Sequence, residues 1–185
     1  MSDAPVEFKL VFTGPMGAGK TTAIAAISDE PPVSTDVANN DRATFDKAST
    51  TAGLDYGRIA LDDGAVVRLY GTPGQARFRF MWDILGVNAA GVIVLIDASQ
   101  SDALAQLERF VDAFGNGRHA PIVVGVGRLD TPGAPPLDAF SHSLEARGLT
   151  LPAFGVDVRR RDDVLLLVDT LLCLIEAADD ARLSA

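Results

Sequence analysis

The run Gly14-Pro15-Met16-Gly17-Ala18-Gly19-Lys20-Thr21 constrains the fold of this chain more than any other segment. It follows a short apolar stretch, 6–13, that reads as a strand, and it opens an alanine-rich stretch, 20–28, that reads as a helix. In that order a strand, a glycine-rich turn and a helix aim backbone N–H groups at one point in space. Gly14, Gly17 and Gly19 let those groups converge on phosphate oxygens without side-chain clash. The helix N-terminus adds its dipole, Lys20 supplies a point charge, and Thr21 offers a hydroxyl to a divalent cation. The expected phosphate cradle is therefore Gly14, Gly17, Ala18, Gly19, Lys20, Thr21 and Thr22.

The rest of the chain alternates strands and helices. Segments 54–61 and 65–70 flank Asp62-Asp63-Gly64, a hairpin signal. Segment 91–96 is a continuous β-branched run, as expected of a strand buried on both faces, and 121–126 is another. Ser99-Gln100-Ser101-Asp102 has the form of a capping box opening a helix that runs to Phe114. Helices are also expected over 137–147 and 162–178, with a last strand at 152–156. In the last helix Val164, Leu167, Val168, Leu171, Ile175 and Ala178 share one stripe, which packs it on a sheet. Between 29 and 49 the chain is polar and shows no clean period, and a loop that long in a compact domain is usually functional. These segments predict one α/β domain over 1–185: three layers around a mostly parallel six-stranded sheet with one antiparallel hairpin strand.

The net charge of −9 leaves no basic stripe for a nucleic-acid backbone, so no nucleic-acid partner is expected. A single cysteine, Cys173, fits a reducing compartment. Met1-Ser2-Asp3-Ala4-Pro5 lacks the features of a signal peptide, and Arg182-Leu183-Ser184-Ala185 offers no prenylatable cysteine. A cytoplasmic protein without a direct membrane anchor is the expectation. His119 and His142 have no neighbouring ligand set, which speaks against a histidine metal site.

Three further segments carry chemistry. Gly71-Thr72-Pro73-Gly74-Gln75, after the second hairpin strand, resembles the Asp-Thr-Ala-Gly-Gln that ends the third strand of Ras-like small GTPases. Thr50-Thr51-Ala52-Gly53-Leu54-Asp55-Tyr56 is similar to the Thr-x-Gly-x-Asp-aromatic stretch that closes their switch I, with Thr50 as a competing register. Gly127-Arg128-Leu129-Asp130 stands where that family carries Asn-Lys-x-Asp, and Asp157-Val158-Arg159 loosely matches its Ser-Ala-Lys. The resemblance spans residues 14–159. It also resembles bacterial MglA-like and conservon-type GTP-binding proteins, which share Gly-Thr-Pro-Gly-Gln, the following Arg-Phe-x-Phe-Met-Trp and a degenerate guanine motif.

The resemblance implies a P-loop NTPase fold of the Ras-like G-domain type, binding GTP or GDP with Mg²⁺. It implies that Gly74 senses the γ-phosphate and Gln75 orients the attacking water. Thr21 and Thr51 become the metal-ligand hydroxyls. Asp130 accepts the two N–H groups of the guanine edge, Arg128 lies over the base plane, and the Val158 N–H reaches guanine O6. Switch I is expected at 29–51 and switch II at 71–85. Implied partners are roadblock-domain regulators and sensor-kinase-like proteins.

Departures from the family qualify the expectation. Gly71 replaces the switch II aspartate, which predicts looser metal binding and a weak Mg²⁺ dependence of GDP affinity. The position just before Thr51 holds Thr50 where MglA-type members can carry an arginine, and Arg42, Arg77 and Arg79 are the candidate substitutes, so unassisted hydrolysis is expected to be slow. Asp97 is either a stand-in metal carboxylate or a turn residue. Phe78, Met81, Trp82 and Leu85 form a core stripe from which Phe80 points away. The resulting expectation is a bacterial signalling switch that hydrolyses GTP slowly to GDP and changes partner affinity with nucleotide state. A non-catalytic GTP-binding scaffold and a P-loop ATPase or kinase are its rivals.

Overall fold

The computed structural model describes residues 6–34, 54–115 and 120–183. Strand β1 (Glu7–Thr13) leads through the glycine-rich loop into helix α1 (Lys20–Ile27). A two-residue strand β2 (Val33–Ser34) precedes the hairpin of β3 (Asp55–Ala60) and β4 (Val66–Gly71). A 3₁₀ turn at Ala76–Phe78 runs into α2 (Arg79–Gly86), followed by β5 (Gly91–Asp97) and α3 (Ala103–Gly115). Strand β6 (Ile122–Gly127), helix α4 (Leu137–Glu145), strand β7 (Ala153–Gly155) and helix α5 (Arg161–Leu183) complete the order.

The strands form one sheet in the order β2-β3-β4-β1-β5-β6-β7. Strand β1 pairs in parallel with β4 and β5, and the parallel pairing continues through β6 to β7. Only β3 runs against its neighbours, pairing antiparallel with β4 and with β2. This is the α/β, P-loop NTPase-like arrangement expected from the sequence. The expected six strands are present, and β2 adds a short seventh at the edge.

Side-chain alternation along the strands splits the core into two layers. On one face Leu10, Phe12, Ile93 and Leu95 pack with Ala23, Ile24 and Ile27 of α1 and with Val164, Leu167, Val168, Leu171 and Ile175 of α5. On the other, Val11, Val92, Val94 and Ile96 meet Trp82 and Leu85 of α2, Phe110 and Phe114 of α3, and Phe140 of α4. All seven residues of β5 are buried, as its continuous β-branched run requires when both faces carry helices. No helix among the described residues is long and apolar enough to cross a membrane.

Two local expectations are corrected. The helix after β5 begins at Ala103, and Ser99 does not cap it. Instead the Ser99 N–H and hydroxyl donate to Asp97 Oδ1 at 2.9 and 2.5 Å. A carboxylate at the end of a strand reaches the N–H two residues on more readily than a serine reaches across a turn. Asp97 is thus a turn-forming residue. Helix α5 also continues to Leu183, beyond the end of its apolar stripe at the half-buried Ala178. Its last turns no longer face the sheet, so hydrophobic period alone does not mark them.

The expected stripe holds in part: Trp82 and Leu85 are buried and Phe80 is 59% exposed, whereas Phe78 and Met81 are only half-buried. Trp82 lies 4.5 Å from Phe110, centroid to centroid, and its indole N–H donates to the Pro73 carbonyl at 2.7 Å. One side chain therefore fills the second core layer and ties down the segment after β4. Trp82→Ala is expected to cost about 3–5 kcal/mol of unfolding free energy, read as a lowered urea midpoint; a midpoint within error of wild type would show the indole is not a core anchor.

Candidate functional site

Strand order reverses direction at β1, and the loops beyond the carboxyl ends of β1, β5 and β6 enclose a crevice. Open α/β sheets bind ligands at such a point. The glycine-rich loop forms one wall. Gly14 has φ +139°, and a Cβ there would lie 2.0 Å from the Leu95 carbonyl oxygen, so the turn out of β1 admits no side chain. Helix α1 then starts with no side-chain cap and no acidic residue in its first turn. Its leading N–H groups and positive dipole end are left for an anion.

Lys20 is buried under this loop, at 8% exposure. Its Nζ donates to the carbonyls of Gly14 and Pro15 at 2.8 and 2.7 Å. Burial pushes the ammonium down to about 8, partly opposed by the Asp55 carboxylate. Beside it, the Thr21 hydroxyl donates to Asp55 Oδ2 at 2.5 Å. Among the described residues no three histidine, cysteine or acidic side chains cluster around a metal position. A hydroxyl, a carboxylate and ligand phosphates nevertheless suit Mg²⁺, which keeps several waters and uses few protein ligands.

The loop after β4 closes over the cradle. The Thr72 hydroxyl pairs with that of Thr13 at 2.8 Å, both buried, and the Thr72 N–H donates to the Phe12 carbonyl at 2.9 Å. Gly74 lies on the loop itself: a Cβ there would sit 2.3 Å from the Met16 nitrogen. Gln75 Nε2 donates to the Met16 thioether at 3.6 Å, a weak acceptor. Arg77 lies over the Phe78 ring, 4.8 Å from its centroid. Thr51, Thr50 and Arg42 fall outside the described residues, as does switch I apart from 29–34.

Opposite the cradle is a cleft of ≈ 670 Å³, within the range of small-molecule sites. Gly17, Ala18, Gly19 and Thr22 line one side and Arg128, Asp130, Val158 and Arg159 the other. The Val158 side chain meets the phosphate loop, since a Cβ on Gly19 would lie 2.6 Å from its Cγ2. The neighbouring N–H groups are engaged by carboxylates, Asp157 N–H by Asp163 and Arg159 N–H by Asp157. Arg159 also forks onto Asp157 at 2.8 and 2.6 Å, which with the backbone bond holds that carboxyl down at about 2. Arg128 adopts a left-handed backbone, φ 57°, and its guanidinium meets Asp97 at 3.0 Å. Burial pushes the Asp97 carboxyl up, but the Ser99 hydrogen bonds and the Arg128 charge more than offset it, leaving a net lowering. A second cleft, ≈ 420 Å³, opens near Phe8, Val87, Pro121 and Ile175 at the other end of the sheet. Of its described lining residues only Asp179 ionises, so it offers no converging charge.

The residue that sequence reasoning missed is Asp55. In the sequence it reads only as part of a switch I pattern, but it is 6% exposed and faces Thr21. The hairpin carried the signal: positions 55 and 71 are equally distant from Asp63, so a two-stranded pairing sets them opposite each other.

No protein-family model matches the chain. It is 29% identical over 150 residues, 80% of its length, to translation initiation factor IF-2 of Magnetococcus marinus. It is 26% identical over 178 residues to the IF-2 of Caulobacter vibrioides. An uncharacterized protein of Methanocaldococcus jannaschii, MJ1339, is 29% identical over 94 residues. The chain spans only 14 and 16% of the two initiation factors and 53% of MJ1339.

The buried ammonium makes stability depend on pH. Folded Lys20 releases its proton near pH 8, whereas an unfolded lysine holds it to about 10.4. Between those values the unfolded chain binds more protons, so folding gains stability as pH rises. Relative to Lys20→Met, wild type should gain roughly 3 kcal/mol between pH 7.5 and 10.5, measured by urea unfolding; parallel pH profiles for the two proteins would show the ammonium is not strained by burial.

Proposed function

We propose that this chain is a guanine-nucleotide-binding switch that hydrolyses GTP slowly to GDP and alters its affinity for a protein partner between the two states. The observation that carries this reading is that the phosphate loop and the Asp130 carboxylate line one cleft of nucleotide size. Similarity to IF-2, a GTPase, supports a distant P-loop GTPase relationship independently of the site.

In this reading the cradle N–H groups and Lys20 hold the β- and γ-phosphates. On binding, the Lys20 ammonium exchanges two carbonyl acceptors for phosphate oxygens, which restores its charge to a favourable partner. Thr21, with Thr51 as a further ligand, would hold Mg²⁺, which would supply positive charge to those oxygens. Gly74 is close enough to the loop for its N–H to meet a γ-phosphate. Gln75 leaves the weak thioether acceptor at small cost and orients the attacking water through its amide. Asp130 reads the guanine edge, the Val158 N–H meets O6, and Arg128, held by Asp97, forms the wall over the base.

Arg42 lies outside the described residues and Arg77 is engaged with Phe78, so in this reading a partner is needed for fast turnover. The output surface is α2, where Phe80 and Ile84, 59 and 65% exposed, are neighbours one helical turn apart. Roadblock-domain regulators and sensor-kinase-like proteins are the partner classes that the family resemblance implies, in a bacterial cytoplasm.

Two measurements test the reading. Wild type should prefer GDP over ADP in fluorescent-nucleotide binding, and Asp130→Asn should gain xanthine nucleotides while losing guanine ones; equal affinity for adenine and guanine would exclude it in favour of an ATPase or kinase. Single-turnover GTP hydrolysis by the isolated protein should proceed on the order of 10⁻³ s⁻¹ or slower and fall at least tenfold in Gln75→Ala. Identical, negligible turnover in both proteins would point to the non-catalytic scaffold instead.

A further inference from the structure

Met16 stands in the middle of the phosphate loop and is 72% exposed. An apolar side chain so placed contributes little to the core. What it touches is Gln75, whose Nε2 donates to its Sδ at 3.6 Å. The backbone keeps these two residues together. A Cβ on Gly74 would lie 2.3 Å from the Met16 nitrogen and 2.5 Å from the Pro15 carbonyl carbon, so the residue before Gln75 is packed on the loop that carries Met16. The sulfur is thus open to small solutes and is the partner of the amide that orients the attacking water. Met81 is half-buried and Met1 lies outside the described residues, so the exposed Cys173 thiol on α5 is the competing target for an oxidant.

We infer that Met16 is an oxidation site that acts as a brake on Gln75: as a thioether it releases the amide to the water, and as a sulfoxide it keeps it. The oxidant is a two-electron one of the hydrogen peroxide class. A sulfur lone pair attacks one peroxide oxygen, the S–O bond forms and the O–O bond breaks. The departing hydroxide takes the proton of the transferred oxygen and leaves as water, so sulfur loses two electrons and peroxide gains them. A soft, weak acceptor becomes a polar S=O group, and methionine sulfoxide reductases reverse the change. The groups that hold phosphate do not contact the sulfur: Lys20 Nζ sits on the Gly14 and Pro15 carbonyls. Oxidation therefore slows hydrolysis without weakening nucleotide binding. The inference rests on the guanine-nucleotide reading above and on its role for Gln75.

The test treats Cys173→Ser protein, which lacks the competing thiol, with hydrogen peroxide. Peptide mass spectrometry should show Met16 gaining one oxygen before Met81 does. Single-turnover GTP hydrolysis should then fall roughly three- to tenfold, the worth of one strengthened neutral hydrogen bond, while GDP affinity stays unchanged within error. Sulfoxide reductase with dithiothreitol should restore the rate. In the GDP complex the side-chain amide resonance of Gln75 should shift on oxidation, a readout independent of turnover. Met16→Leu in the same background should give equal rates before and after peroxide, and so should Gln75→Ala, because the brake acts through that amide. Complete Met16 oxidation with an unchanged rate and an unmoved Gln75 resonance overturns the inference and leaves the nucleotide reading standing. So does an equal peroxide effect in Met16→Leu, or GDP affinity that falls in step with the rate. No GDP binding by the untreated protein, or no hydrolysis by it, overturns the nucleotide reading or its catalytic part, and this inference with it.

Discussion

The Lys20 ammonium lies beneath its own backbone, between the carbonyls of Gly14 and Pro15 at 2.8 and 2.7 Å. A charge so placed is poorly solvated, and carbonyl dipoles compensate it only in part. Much of the surrounding construction follows from keeping that group there. The loop must curl back over the first turn of α1, which demands a left-handed glycine at its start and brings it against the end of β5. Neighbouring loops then close in: the Thr72 hydroxyl onto Thr13, Gly74 onto Met16, and Val158 onto Gly19. A cavity poised for an anion is the outcome, with donors and dipole already oriented and little reorganisation left for the ligand to drive.

Most of this architecture was legible in the sequence because it is local. The glycine-rich turn, the Asp-Gly hairpin, the β-branched runs and the apolar stripes of α2 and α5 each announce themselves within a dozen residues. The structure brings Asp130, in the loop after β6, to the same cleft as Gly17 and Thr22. What was not legible depends on partners chosen across space. Ser99 looks like a cap until Asp97, two residues back, takes its N–H. The resemblance sets Arg128 over a base plane, but nothing in the sequence shows that Asp97 engages its guanidinium. Asp97, one buried carboxylate at a strand end, thus organises both the turn before α3 and the wall over the cleft. Helix α5 outruns its apolar stripe, because polar residues continue a helix without marking it.

Distant similarity and the observed architecture point the same way at the level of a P-loop-like α/β fold and differ in reach. The initiation factors contain the matched region as a small part of a much longer chain, so the likeness bears on this segment alone. The cleft speaks to which atoms do the work. The contact of Gln75 with Met16 illustrates the difference: no likeness in sequence foretells that a thioether, a soft and weak acceptor, should be what holds this amide.

The pairing of Asp55 with Gly71 has a consequence for how such chains are compared. In an antiparallel hairpin two positions far apart in number share a single location, and either strand can furnish the side chain that fills it. A motif read along one strand records the glycine as a loss. Counted as positions in space, the same location still holds a carboxylate, which a reading of the letters along one strand does not reveal.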